Sequence, residues 1–172
     1  MKILLSSYYI QWLMMRNRIV LLILLFAFGV NACQQEDKVT TMVTRHYQKK
    51  NMTFDKELEH CIILPEVGCE GCIASGVSFF LKNEKYFSNT QKKNMIVFTA
   101  VNSKKMLFRT LGITSLENYY CYLDLKNDYL VGGNQSIYPL VLHLKDGVIV
   151  KAEYQSPYSE NIMGQLEMEL TK

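Results

Sequence analysis

Cys69 and Cys72 stand three apart in VGCEGCIAS, the stretch from Val67 to Ser75. Two thiols at positions i and i+3 on the first turn of a helix lie on one face, so their sulfurs can approach bonding distance. Such a pair can exchange electrons with other thiols, hold a soft metal ion, or close a static disulfide. At a helix start the first thiol also meets unpaired N–H groups and the positive end of the helix dipole. Both favour the thiolate, which is the nucleophile. Glu66 and Glu70 flank the pair, and their charge opposes that effect.

The surrounding sequence supplies the helix start. Leu58–Glu66 is a short apolar run closed by Pro65, the pattern of a buried strand. From Cys69 onward Ile73, Val77, Phe80 and Leu81 fall at helical spacing, with polar Ser75, Ser78 and Lys82 between them. Met95–Val101 reads as a second buried strand. NSKKMLFRTLG reads as a short helix with Asn102 or Ser103 as N-cap and Gly112 as stop. The residues around Cys121 suggest a strand near a sheet edge, and the paired glycines of LVGGNQ a loop. Two β-rich runs then flank Asp146-Gly147, a strong hairpin turn. Ser156-Pro157 reads as the start of a last helix with Ile162, Leu166 and Leu170 on one face. The order is βαβ, a further helix and strand, then ββα. It predicts an α/β fold with a mixed sheet and helices on both faces.

The first third of the 172 residues has a different character. Arg16 and Arg18 precede an apolar run, Ile19–Val30, too short to span a bilayer and followed by small residues, the pattern of a secretory signal peptide. VNAC, Val30–Cys33, resembles the lipobox of bacterial lipoproteins, which implies a signal over 1–32 and lipidation of Cys33. Met14 or Met15 is a more natural start for such a signal, making residues 1–13 an overextended start. Polar residues 33–52 read as the lipidated cysteine and a flexible tether, leaving 53–172 as the domain. The Gln-Gln-Glu-Asp beginning of that tether resembles surface-export signals of Bacteroidetes lipoproteins, although a plain solvated spacer is the preferred reading. Lys2, Arg16 and Arg18 account for the whole net charge of +3, so beyond them 16 basic residues balance 16 acidic ones. That balance argues against a nucleic-acid partner. Export permits disulfides to persist.

Proline cannot donate to a strand ladder, yet Pro139 opens LVLHL directly. It fits either as a trans residue at a strand's first position or as a cis residue serving a site. SIYPLVLHLKDGVIV resembles the segment of thioredoxin-like proteins in which a cis-proline begins a strand that hairpins through a glycine. Together with a CxxC after the first core strand, the resemblance covers most of residues 55–171. The long interval between the cysteines and Pro139, and the Cys-Glu-x-Cys pair, are similar to membrane-tethered thiol–disulfide reductases of the TlpA type. The resemblance implies a thioredoxin-like fold with a cis Tyr138–Pro139 bond packed against the dithiol. It implies that Cys69 attacks, that Cys72 resolves, and that Tyr138 and Pro139 form the substrate groove, Tyr138 offering backbone hydrogen bonds to a polypeptide. Partners would be protein thiols or disulfides and a membrane electron donor, in the cell envelope facing the periplasm, with no cofactor. A trans Tyr138–Pro139 peptide, or one far from Cys69, would remove the foundation of the electron-exchange reading. The chain departs from that family at Gly68, where tryptophan is usual, and at Ile63, near the place of a buried acid. Glu66 and Glu70 are the residues that tune the pair, toward a reducing or isomerising poise.

Two other readings compete with this one. A thioredoxin-fold binding module would keep the pair as a non-catalytic disulfide. A soft-metal protein would bind Cu(I) through it. Cys61 and Cys121 read as small buried hydrophobes, with a mutual disulfide as the alternative. His46, His60 and His143 each read as packed or edge residues, and Tyr119, Tyr120 and Tyr122 as packing.

Overall fold

The computed structural model describes residues 38–171 apart from Cys69, Gln91 and Asn134, and describes Cys72 by its backbone only. The expected signal peptide, Cys33 and the beginning of the tether lie outside the described residues. Among the described residues no helix is long and apolar enough to cross a membrane.

Five strands form one mixed sheet in the order β3-β2-β1-β4-β5. Strands β1 (His60–Pro65) and β2 (Asn94–Thr99) run parallel in its middle, paired from His60↔Asn94 to Pro65↔Thr99. Both are buried along almost their whole length, as the unbroken apolar runs demand when layers cover both faces. The crossover between them carries helix α2 (Glu70–Asn83) and a 3₁₀ turn, Glu84–Phe87. Strand β3 (Cys121–Asp124) joins the free side of β2 in parallel and forms one sheet edge. Strand β4 (Leu140–Lys145) lies antiparallel to β1 and hairpins into β5 (Val148–Tyr154). The turn places Asp146 and Gly147 both at positive φ, 52° and 78°, as a type I′ turn requires.

Alternation along the strands splits the core into two layers. Ile62, Leu64, Ile96, Phe98 and Val141 point to one face. There they meet Phe79 and Phe80 of α2, Leu107 and Leu111 of α3 (Lys104–Leu111), and Ile162 and Leu166 of α4 (Ile162–Leu170). Cys61, Ile63, Val97, Leu140 and Leu142 point to the other face, where Val43 and Tyr47 of α1 (Lys38–Lys49) cover them. Helix α3 starts as expected, with the Ser103 hydroxyl accepting from the Met106 N–H, and stops at Gly112 in the left-handed conformation.

Three expectations are corrected. Residues 38–49 are not tether but helix α1, whose Val43 and Tyr47 are almost fully buried. Val39, Val43 and Tyr47 follow each other at four-residue spacing, and that stripe is what docks. Helix α4 begins at Ile162 rather than near Pro157: Asn161 caps it by accepting from the Gly164 N–H, while in a separate turn the Ser159 hydroxyl accepts from the Ser156 N–H and donates to the Ser156 carbonyl. On α2, Leu81 faces solvent and the core side chain is Phe79. For Cys61 and Cys121, both free thiols, the alternative of a mutual disulfide is excluded. Their strands are separated by β2, about 9–10 Å for two strand spacings, and they face opposite layers, so no disulfide can join them.

Candidate functional site

The turn from β1 into α2 carries the CxxC, at the end of the sheet where the parallel strands finish. Cys69 lies outside the described residues. The backbone of Cys72 lies in the first turn of α2, behind Glu70, which is exposed. Gly68 approaches the turn at φ +115°, and a Cβ there would stand 3.1 Å from the Ile137 Cβ and 3.3 Å from the Ile137 carbonyl oxygen. The chain just before Pro139 is therefore packed on the chain just before Cys69. This close approach also explains why a glycine occupies a position where the family resemblance expects tryptophan.

The expectation of a cis bond is overturned: among the described residues no peptide is cis, so Tyr138–Pro139 is trans. Pro139 is the residue immediately before β4, where a missing N–H interrupts no ladder bond. Its carbonyl accepts from the Gln155 N–H at 2.9 Å. The Tyr138 N–H is also engaged, donating to the Gln135 carbonyl at 3.0 Å within the preceding turn. Tyr138 itself packs on the α1 side of the core.

Pro139 and Glu66 line a common cavity of about 40 Å³ with Ile73, Gly76 and Val77 of α2 and Thr110 of α3. Glu66 follows the last residue of β1, held by its N–H to the Thr99 carbonyl at 2.9 Å. One carboxylate oxygen, Oε2, is buried there with no hydrogen-bond partner. Burial raises the pKa of Glu66 above the ordinary carboxylate value, although the Asn102 backbone N–H pulls in the opposite direction. Gly76 lets α2 pack closely on β1, since a Cβ there would lie 3.3 Å from Leu64 Cδ2. Along α2, position 72 stands one turn before Gly76, which lines the cavity. On the outer side of Gly68, Ile73, Ala74, Val77 and Leu81 form a shallow apolar groove. Sequence reasoning named Glu66 but not its burial, and it missed Gly76 and Thr110. The sequence signal available for Gly76 was a small residue seven positions after Cys69.

These features define an α/β protein whose mixed sheet ends in a cysteine-bearing turn, with one buried carboxylate oxygen just after β1. Comparison with protein-family models, curated proteins and solved structures finds no match for this chain.

Proposed function

We propose that the chain is a thiol–disulfide oxidoreductase of thioredoxin-like fold acting on protein thiols, with Glu66 as the proton acceptor of the Cys69–Cys72 pair. The observation that carries this reading is the buried, unpartnered Glu66 oxygen in the cavity under the first turns of α2. A carboxyl group whose pKa burial raises, next to the first turns of α2, is suited to accept and pass on a proton. In the reductive direction the Cys69 thiolate attacks a substrate disulfide. A mixed disulfide forms, and one substrate sulfur leaves as a thiolate. Cys72 then gives its proton to Glu66, through a water for which the cavity has room, and attacks the Cys69 sulfur. The mixed disulfide breaks, the substrate's second thiolate leaves, and the pair ends oxidised. A dithiol donor must reduce it again. The apolar groove beside Gly68 supports a polypeptide substrate. Export and lipidation at Cys33 belong to the same proposal and rest on the Arg16–Cys33 sequence pattern.

Insulin-disulfide reduction by the full chain, in detergent with dithiothreitol, tests it. Cys69→Ser should abolish the activity. Glu66→Gln should lower it by about a hundredfold, the lower end for a positioned proton-transfer group, and remove the rise in rate as pH passes the raised pKa of Glu66. Full activity in either variant overturns the corresponding role.

A second reading has its own support. The trans Tyr138–Pro139 bond and the occupied Tyr138 N–H leave little backbone free to pair with an extended substrate. Both favour a binding module that keeps Cys69–Cys72 as a fixed disulfide. Resistance of the pair to mild reductants, with no insulin reduction, would establish that alternative.

A further inference from the structure

At the opposite end of β1 from the cysteine turn, two histidines treated singly in the sequence come together. His60 opens β1 and His143 sits in β4, and the antiparallel register makes them direct cross-strand partners. Their rings stand edge to face with centroids 5.2 Å apart. Glu169, in the last turn of α4, reaches over both: its Oε2 is 3.4 Å from His60 Nε2 and 3.8 Å from His143 Nδ1. One donor atom from each of the three residues lies within 4.8 Å of the others.

The outer nitrogens are turned toward acceptors. Asn94 donates through Nδ2 to the Tyr86 carbonyl, so its Oδ1 faces His60 and takes the Nδ1 proton at 2.8 Å. On His143, Nε2 faces Glu153 Oε2 at 3.4 Å, an ion-pair distance without a formed hydrogen bond. Lys151 Nζ, 2.9 Å away, balances the charge of that carboxylate. Protons held outward leave lone pairs on His60 Nε2 and His143 Nδ1, both directed at the same carboxylate oxygen. Three electron-rich atoms converging in this way repel each other unless a cation stands among them. A proton bridges only one nitrogen to the oxygen, whereas a metal ion can take all three. Histidines whose second nitrogen is held by an amide or carboxylate are the usual metal ligands. Tetrahedral ligands at about 2.0–2.1 Å from zinc stand about 3.4 Å apart, close to the two observed separations.

We infer that His60, His143 and Glu169 bind a borderline divalent transition ion such as Zn(II), with a fourth position open to solvent beside the half-exposed Glu169. Two imidazoles and one carboxylate suit zinc and its first-row neighbours, not magnesium or calcium, which prefer oxygen ligands. The site shares no residue with the cysteine turn.

The test is zinc retention by the full chain, without a polyhistidine tag and carrying Cys69→Ser and Cys72→Ser so that this pair contributes nothing. After loading with Zn(II) and desalting, elemental analysis should give one zinc per chain. Glu169→Gln, at a half-exposed position, should weaken zinc binding by more than the about 10–100-fold typical of an outer partner. His143→Gln should do the same, with an unchanged far-ultraviolet circular dichroism spectrum confirming the fold. Substoichiometric zinc in the Cys69→Ser, Cys72→Ser parent, or affinity unchanged in Glu169→Gln, would overturn the assignment.

Discussion

At the scale of single residues, Glu66 and Gly68 give the cysteine turn its character. Gly68 cannot become a larger residue without pushing on Ile137 and straining a backbone at φ +115°. Glu66 keeps a carboxylate oxygen out of water without a partner. The sign of its effect on stability follows from the raised pKa, caused first by burial and offset by the Asn102 N–H. The fold prefers the protonated acid. Below the ordinary carboxylate range the group is protonated in both states and carries no penalty. As pH rises through the interval up to the folded value, the unfolded chain releases its proton first, and stability falls. Glu66→Gln removes the ionisation. Its melting temperature should therefore exceed that of the parent at about pH 8 and match it at about pH 3. An equal difference at both values would show that Glu66 is not held protonated by burial.

At the scale of elements, α1 is a structural part of the domain. Besides burying Val43 and Tyr47, it accepts the Ala152 N–H on the Thr40 hydroxyl at 2.9 Å, and the Tyr47 hydroxyl donates to the Tyr129 carbonyl at 2.9 Å. Tyr47→Phe keeps the ring and loses the hydrogen bond, which should cost about 0.5–1.5 kcal/mol. Tyr47→Ala should cost about 3–5 kcal/mol, as for other large aromatic truncations. Urea unfolding of both variants measures the two, and a small loss in Tyr47→Ala would return residues 38–49 to the role of tether. The sequence hid this helix because Lys-Val-Thr-Thr-Met-Val-Thr is rich in β-branched residues and poor in helix formers, so only docking stabilises it. Local signals were legible elsewhere: the Ser103 and Gly112 caps, the Asp146-Gly147 turn and the buried runs of β1 and β2 all occur where their residue types demand. The start of α4 was not, since Ser156-Pro157 and Asn161 are both good start signals and only tertiary hydrogen bonds choose between them. Within the site, the pair's place at a strand-to-helix turn was readable. The burial of Glu66 and the isomer at Pro139 were not, because both depend on contacts between segments distant in the chain. The His60–His143 pairing was hidden for the same reason, as register between strands far apart in the sequence leaves no local mark.

At the scale of the whole molecule, β1 connects the two candidate sites. It brings His60 to one end of the sheet and delivers Glu66 to the other, six residues on, about 20 Å at the rise of a strand. The central strands belong to both core layers, so damage at either end should appear in one cooperative unfolding transition rather than two. Sharing a transition is different from being coupled. Energetic coupling needs packed groups that rearrange together, and substitutions more than about 7–10 Å apart with no common partner add to within about 0.5 kcal/mol. Glu66 and Glu169 meet that condition: one faces Pro139 and Gly76, the other His60 and His143. Glu66→Gln should stabilise at neutral pH for the reason already given. Glu169→Gln removes a half-exposed carboxylate beside the two histidines and, in zinc-free buffer, should change stability by no more than about 1 kcal/mol in either direction. The double variant should then melt with the sum of the two changes, and this additivity should persist when zinc is supplied to both Glu169-containing chains. Chemical denaturation of the parent, both single variants and the double variant closes the cycle. An interaction energy well above about 0.5 kcal/mol would mean that β1 transmits strain from the histidine end to the cysteine turn, making metal occupancy a regulator of thiol exchange instead of an independent feature.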